Sequence, residues 1–266
     1  MNPKKSLGQH WLNDDASLQA MLNAGNVSSG DTVLEVGPGP GSLTARLCDV
    51  AKQVIAVELD DILVANLAKN VANIRGGSPA KNLQVIHKSI LDFDVLPLTK
   101  NYKVIANIPY YLTSHLVRIM LESLNPPSEM ILLVQKEVAQ RIAAGPGKMG
   151  ILSVAAQYYA EVTLHQEVPA HLFTPPPKVD SQIIQLSYRK ESLFENVDTE
   201  RFFKLVKAGF SEKRKKLRSS LSGALRLSKQ DTDLILHNAS ISQAARAQEL
   251  TIQQWYQLYT VVYKDK

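Results

Sequence analysis

From residue 14 to about residue 145, apolar runs of strand length alternate with stretches of helical periodicity. That alternation confines the chain to an α/β fold with a mostly parallel sheet and right-handed crossovers. The expected strands are 32–36, 53–57, 83–87, 103–106 and 130–134, and helical spacing is clearest over 62–71 and 116–124. Two further strand-like segments, 162–166 and 182–186, have no clear helix between them, and Thr174-Pro175-Pro176-Pro177-Lys178 interrupts the path. An antiparallel hairpin at the sheet edge is expected there. Beyond residue 188 helix formers take over, with apolar positions at Phe203, Val206 and Phe210 and later at Trp255, Leu258, Tyr259 and Val262. Thr251-x-x-Gln254 has the form of a capping box opening the last helix. The expectation is a Rossmann-like α/β domain over residues 1–190 and a smaller all-α domain over residues 191–266.

At 266 residues the chain is long enough for both to bury a core. With 45% hydrophobic and 21% charged residues, disorder is not expected. The single cysteine, Cys48, excludes a disulfide framework and a thiolate zinc cluster. No metal site is expected, and a reducing compartment fits. The amino-terminal stretch leads into Gln9-His10-Trp11 with no long apolar run behind it, so neither a secretory signal nor a membrane span is expected. The reading is a cytoplasmic, monomeric protein without a membrane partner. Its formal charge of +5 permits a polyanionic partner without requiring one.

The chemistry concentrates at Asn107-Ile108-Pro109-Tyr110, which follows the apolar run Val104-Ile105-Ala106 and so falls at the carboxyl end of a buried strand. Open α/β sheets place ligands there. An Asn carboxamide and the next carbonyl, turned outward by Pro109, present two acceptors side by side. An exocyclic amine has two hydrogens to give. With both accepted, its lone pair is drawn out of conjugation and freed to attack an electrophile, while Tyr110 offers a flat face for a ring. The alternative is a turn that merely closes a strand.

After the first strand comes Glu35-Val36-Gly37-Pro38-Gly39-Pro40-Gly41, whose glycines let backbone approach a ligand closely. Ser42 stands where the dinucleotide fingerprint wants its third glycine, which disfavours pyrophosphate. Glu58 ends the second strand about 20 residues after Gly37, the position of a ribose-binding carboxylate. A glycine loop untuned for phosphate and a ribose carboxylate suit S-adenosylmethionine better than NAD. The alternative makes the glycines a tight turn and Glu58 an exposed helix cap.

These residues, in this order, resemble the small-subunit ribosomal RNA adenine N6,N6-dimethyltransferases. The resemblance runs through Lys5-Ser6-Leu7-Gly8-Gln9-His10-Trp11-Leu12, the glycine loop, Glu58 and residues 107–110. It continues through Gln135-Lys136-Glu137-Val138, Phe173 to Ser181 and Phe210 to Lys216. It implies a class I methyltransferase domain using S-adenosylmethionine to dimethylate two adjacent adenines near the 3′ end of small-subunit rRNA. The resemblance also implies that His10, Leu12, Gly37, Gly39, Glu58 and Asn107 bind the cofactor. It further implies that Asn107 and the Ile108 carbonyl hold the amine, that Pro109 aims that carbonyl, and that Tyr110 and Phe173 sandwich the flipped adenine. Ser89 stands where the family usually has an Asp against the cofactor's adenine, which implies a weaker but working contact.

Lys213, Arg214, Lys215, Lys216 and Arg218 are read as the polar face of a helix after Phe210, with Leu217 and Leu221 turned inward. Phosphate contact with rRNA is expected, against the alternative of a merely solvated face. Two other functions stay open in the sequence: a resistance-type large-subunit rRNA adenine methyltransferase, and a non-catalytic rRNA-binding assembly factor.

Overall fold

The computed structural model describes residues 3–4, 7–212 and 214–263. The chain folds as two compact units, one formed by residues up to Ala139 with Ala160–Tyr188, the other by Gln140–Tyr159 with the chain from Arg189 onward.

In the first unit the elements are β1 (Trp11–Leu12), α1 (Asp15–Ala24), β2 (Thr32–Val36), α2 (Ser42–Val50), β3 (Gln53–Glu58), α3 (Asp61–Ile74), β4 (Leu83–His87) and β5 (Lys103–Asn107). They continue with α4 (Thr113–Leu121) and β6 (Glu129–Gln135), the helix α5 (Lys136–Ile142) at the division, and later β7 (Ala160–Val168), β8 (Phe173–Thr174) and β9 (Ser181–Tyr188). Seven strands form one sheet in the order β4-β3-β2-β5-β6-β9-β7. The first five pair in parallel, and β9 pairs antiparallel with both β6 and β7. Every residue of β2 is buried, as is Val104 to Ala106 in β5. This double-sided burial is why the central strands read as continuous apolar runs. From β2 the chain moves outward through β3 to β4, then returns to place β5 on the other side of β2. A crevice therefore opens beyond the carboxyl ends of β2 and β5, where the strand order reverses.

The late strands β7 and β9 pair antiparallel at the sheet edge, as expected. Two features were not foreseen. The chain between them leaves the sheet, and there Leu12 and Trp11 pair with Phe173 and Thr174 in a separate two-stranded ladder. And residues 140–159, expected in the first domain, group with the helical unit.

That second unit contains α6 (Ile151–Tyr159), α7 (Thr199–Gly209), α8 (Leu217–Leu225), α9 (Lys229–Asn238) and α10 (Ile252–Tyr263). Its core joins Val154 and Tyr158 of α6 to Phe202, Val206, Leu217, Leu221, Leu236 and Trp255. Asp198 caps α7 by accepting from the Arg201 N–H at 3.0 Å, and Ser228 caps α9 by accepting from Asp231 N–H at 3.0 Å. The capping box at α10 is present: Thr251 N–H donates to Gln254 Oε1, and Gln254 N–H to Thr251 Oγ1, each at 3.0 Å. The basic run is not helical as expected. Ser211 Oγ donates back to the Ala208 carbonyl at 2.8 Å, the chain turns, and α8 starts only at Leu217.

Candidate active site

A cavity of about 240 Å³ lies in the first unit. Gly37, Gly39, Glu58, Ser89, Asn107, Ile108, Pro109, Tyr110, His10 and Leu12 all line it, so ten of the expected site residues are brought together. Gly37 takes a left-handed φ of +66° directly after β2, and a Cβ there would point into open space, toward the ligand volume. Gly39 has a different reason. A Cβ on it would stand 3.3 Å from the Trp11 indole, so this glycine lets the amino-terminal segment lie close over the loop.

Glu58, at the end of β3, is buried rather than an exposed cap. Its Oε1 accepts from the Leu59 and Asp60 N–H groups at 2.8 and 2.9 Å, and its Oε2 accepts from Gly39 N–H at 3.3 Å. The helix cap is Asp60, which accepts from Ile62 N–H at 3.0 Å and also holds Lys4 at 2.9 Å. Ser89 spends an acceptor locally, on the Leu91 N–H at 3.2 Å, so what it has left for a ligand is chiefly its hydroxyl hydrogen.

Asn107 is the last residue of β5, and its Nδ2 donates to the His10 carbonyl at 3.1 Å. This fixes the orientation of the carboxamide and leaves Oδ1 as the acceptor available to a ligand. The neighbouring Ile108 carbonyl accepts no hydrogen bond among the described residues. Pro109, at φ −56° and ψ 133°, directs the chain into a short 3-10 turn over Tyr110–Leu112. Two unspent acceptors thus stand next to each other at the tip of a buried strand. Tyr110 Oη lies 3.0 Å from Ser181 Oγ, which fixes the ring's outer edge, and burial holds its hydroxyl above the usual phenol range. The His10 ring is nearly parallel to that of Tyr110, at 18° and 5.9 Å between centroids. Because its Nδ1 stands 2.7 Å from the Pro175 carbonyl, which can only accept, Nδ1 carries the proton.

Phe173, expected to sandwich the base with Tyr110, does not line the cavity: it is 3% exposed and packs with Leu12, Val168 and Ile183 in one apolar core cluster. Its backbone pairing with Leu12 in β8 holds it there. The ring that faces Tyr110 is His10.

Sequence reasoning passed over Glu35 and Tyr111. Glu35 lines the cavity at 1% exposure, and burial pushes its carboxyl up to about 8, against a pull from Thr44 and with a push from Glu58. A charged residue inside the apolar run Thr32 to Val36 was the available signal. Tyr111 stands 68% exposed at the rim. The raised carboxyl makes a stability prediction. The unfolded chain deprotonates Glu35 near pH 4.5 while the folded, cofactor-free protein does so only near 8, so stability falls as pH rises between those values. Glu35→Gln is expected to abolish that fall. The variant should melt higher than wild type at about pH 8, by roughly 2–4 kcal/mol, and alike at about pH 4. Thermal melts across pH check it.

The basic residues lie in the second unit. Lys213 falls outside the described residues. Arg214, Lys215 and Lys216 are exposed on the turn before α8, and Lys215 pairs with Glu212. Arg218 differs from the expected free cation: it forms a half-buried ion pair with Asp233 of α9. No helix of the described residues is long and apolar enough to cross a membrane, and no cluster among them could hold a metal.

The strand order and a cavity built from a glycine loop, a buried carboxylate at a strand end and paired acceptors define a class I methyltransferase fold. The profile described as "Ribosomal RNA adenine dimethylase" matches residues 1–264. Ribosomal RNA small subunit methyltransferase A of Dehalococcoides mccartyi is 39% identical over 98% of this chain and 89% of that protein. The protein of the same name from Clostridioides difficile is 35% identical over 97% of this chain and 90% of its own. Among solved structures, a dimethyladenosine transferase from Plasmodium falciparum has a TM-score of 0.78 at 25% identity, covering 94% of this chain and 96% of its own. The 23S rRNA methyltransferase ErmE has a TM-score of 0.75 at 27% identity, covering 96% and 100%. The chain belongs to the ribosomal RNA adenine dimethylase family. Its cofactor is S-adenosylmethionine, and the residues present fit that molecule: a Cβ on Gly37 would meet only open space, Glu58 is a buried carboxylate on the cavity wall, and Glu35 Oε2 is buried there without a hydrogen-bond partner, which suits a ligand of positive charge.

Proposed function

We propose that this protein dimethylates N6 of two adjacent adenines near the 3′ end of small-subunit rRNA, as a monomer in the cytoplasm. The single observation that carries the chemistry is the pair of unspent acceptors, Asn107 Oδ1 and the Ile108 carbonyl, side by side at the end of β5. His10, Leu12, Gly37, Gly39, Glu58 and Ser89 would hold the cofactor, which when bound supplies an electrophilic methyl group on a sulfonium. Asn107 and Ile108 accept the two amine hydrogens and turn the nitrogen lone pair toward that methyl. Pro109 keeps the carbonyl aimed, and Tyr110 supplies the stacking face for a flipped base. The proton displaced after transfer passes to solvent. A singly methylated amine retains its lone pair and one hydrogen, which one of the two acceptors can hold, so a second round remains possible with the methyl turned away from the other acceptor.

The small-subunit substrate is favoured over the large-subunit one by the names and identities of the sequence relatives. The test incubates the protein with methyl-labelled cofactor and separate unmethylated small and large subunits. Dimethyladenine in small-subunit RNA alone is expected, whereas label confined to large-subunit RNA would replace this reading with the other. A sedimentation run on the same preparation checks the monomer.

Two further outcomes separate binding from structure. Arg214→Ala with Lys216→Ala should weaken rRNA binding and reduce its salt slope by about two, because each contact releases one counterion. Arg218→Ala should leave that slope alone and cost about 1 kcal/mol in the melt, since its partner is Asp233 rather than phosphate. Ser89→Asp is expected to tighten cofactor binding roughly three- to tenfold, measured by calorimetry, by adding a charge-assisted bond.

A further inference from the structure

Glu35 has no place in the chemistry described so far, yet it is the most deeply buried carboxyl of the cavity wall. Its Oε2 has no hydrogen-bond partner among the described residues, and the Thr44 hydroxyl of α2, which pulls its carboxyl down, carries no charge. The ionisable groups that face it are Glu58 from β3 and the Cys48 thiol from α2, and neither supplies positive charge. A buried carboxylate so placed has no counter-charge, and such a group stays neutral until one arrives. The ligand of this cavity brings one. S-adenosylmethionine carries a net positive charge because of its sulfonium, and loses it when the methyl leaves.

We propose that Glu35 is a charge sensor for the cofactor, protonated in the cofactor-free cavity, releasing its proton to solvent when the cationic cofactor binds, and taking one up when the neutral thioether product replaces it. The inference rests on the cofactor assigned to this cavity. The balance is simple: one proton leaves as one positive charge arrives, and one returns as that charge is lost. Burial already keeps the carboxyl protonated near neutral pH without a ligand. Affinity for the cofactor therefore rises with pH while affinity for the product does not, and Glu35 separates substrate from product by charge alone.

The experiment is calorimetric titration of the protein with S-adenosylmethionine and with S-adenosylhomocysteine, each in two buffers of different ionisation enthalpy near pH 7. Wild type should release on the order of one proton with the cationic ligand and markedly less with the neutral one. In Glu35→Gln the release should vanish, and the tenfold gain in cationic-ligand affinity per pH unit between about pH 6 and 8 should flatten. Infrared difference spectra of wild type supply a readout independent of the variant: the stretching band of a protonated carboxyl should disappear when the cationic ligand is added. Tight binding without proton release in wild type, or the same release in Glu35→Gln, overturns the sensor. Failure of both ligands to bind overturns the cofactor assignment itself, a separate result.

Discussion

Asn107→Ala should lower the rate of methyl transfer by on the order of 10²- to 10³-fold, with the greater part of the loss in kcat. The Asn107 carboxamide has two ends with separate work. Its Nδ2 donates to the His10 carbonyl at 3.1 Å, which leaves Oδ1 beside the Ile108 carbonyl as the second acceptor for the amine. Without it the amine has one acceptor, its lone pair stays conjugated, and the base can be bound yet poorly reactive. Asn107→Asp distinguishes the two ends. It keeps an oxygen toward the amine but sets the other against the His10 carbonyl, so it should recover part of the rate while loosening the amino-terminal segment to limited proteolysis. Turnover equal to wild type in Asn107→Ala would remove the paired-acceptor mechanism.

The largest expected effect on stability is at Gly209, the last residue of α7. A Cβ there would stand 2.4 Å from Trp255 Cη2, 3.1 Å from Cζ3 of the same ring and 3.0 Å from Leu217 Cδ1. Trp255 is fully buried and the Phe210 ring stacks on it at 5.6 Å, so the indole has nowhere to withdraw. Gly209→Ala should cost about 3 kcal/mol and lower the melting temperature of the helical unit by roughly 6–12 °C. Adding Trp255→Phe removes the clashing atoms and should recover part of that loss. An unchanged melt in the single variant would mean that α7 and α10 approach less closely than described.

The sequence made the catalytic sheet legible because its central strands are buried on both faces and therefore stand out as uninterrupted apolar runs. β2 and β4 have the expected bounds, while β3 and β5 each run one residue further, to Glu58 and Asn107 themselves. The residues that build the cavity were legible for a related reason: glycines, a lone Asn-x-Pro-Tyr and an acid at a strand end are costly unless something uses them. Long-range pairing was not legible. Nothing in Phe173-Thr174 says that it pairs with Trp11-Leu12, and that pairing is what turns Phe173 into the core and leaves His10 facing Tyr110. Nor does the amphipathic pattern of α6 reveal which core it joins, since an apolar stripe fits either. The Arg218 ion pair is not legible because its partner Asp233 comes from another helix, beyond the reach of four-residue spacing.

The ladder between β1 and β8 also sets an order in time. The glycine loop, Glu58 and Asn107 are synthesised early, but Trp11 and Leu12 gain strand partners only once Phe173 and Thr174 exist, and His10 gains its carbonyl acceptor only with Pro175. A chain still emerging, or one cut short before residue 173, lacks that ladder, and with it β9 beside β6 and the Ser181 hydroxyl that Tyr110 meets. The wall of the cavity is therefore finished by some of the last strands of the first unit to be made.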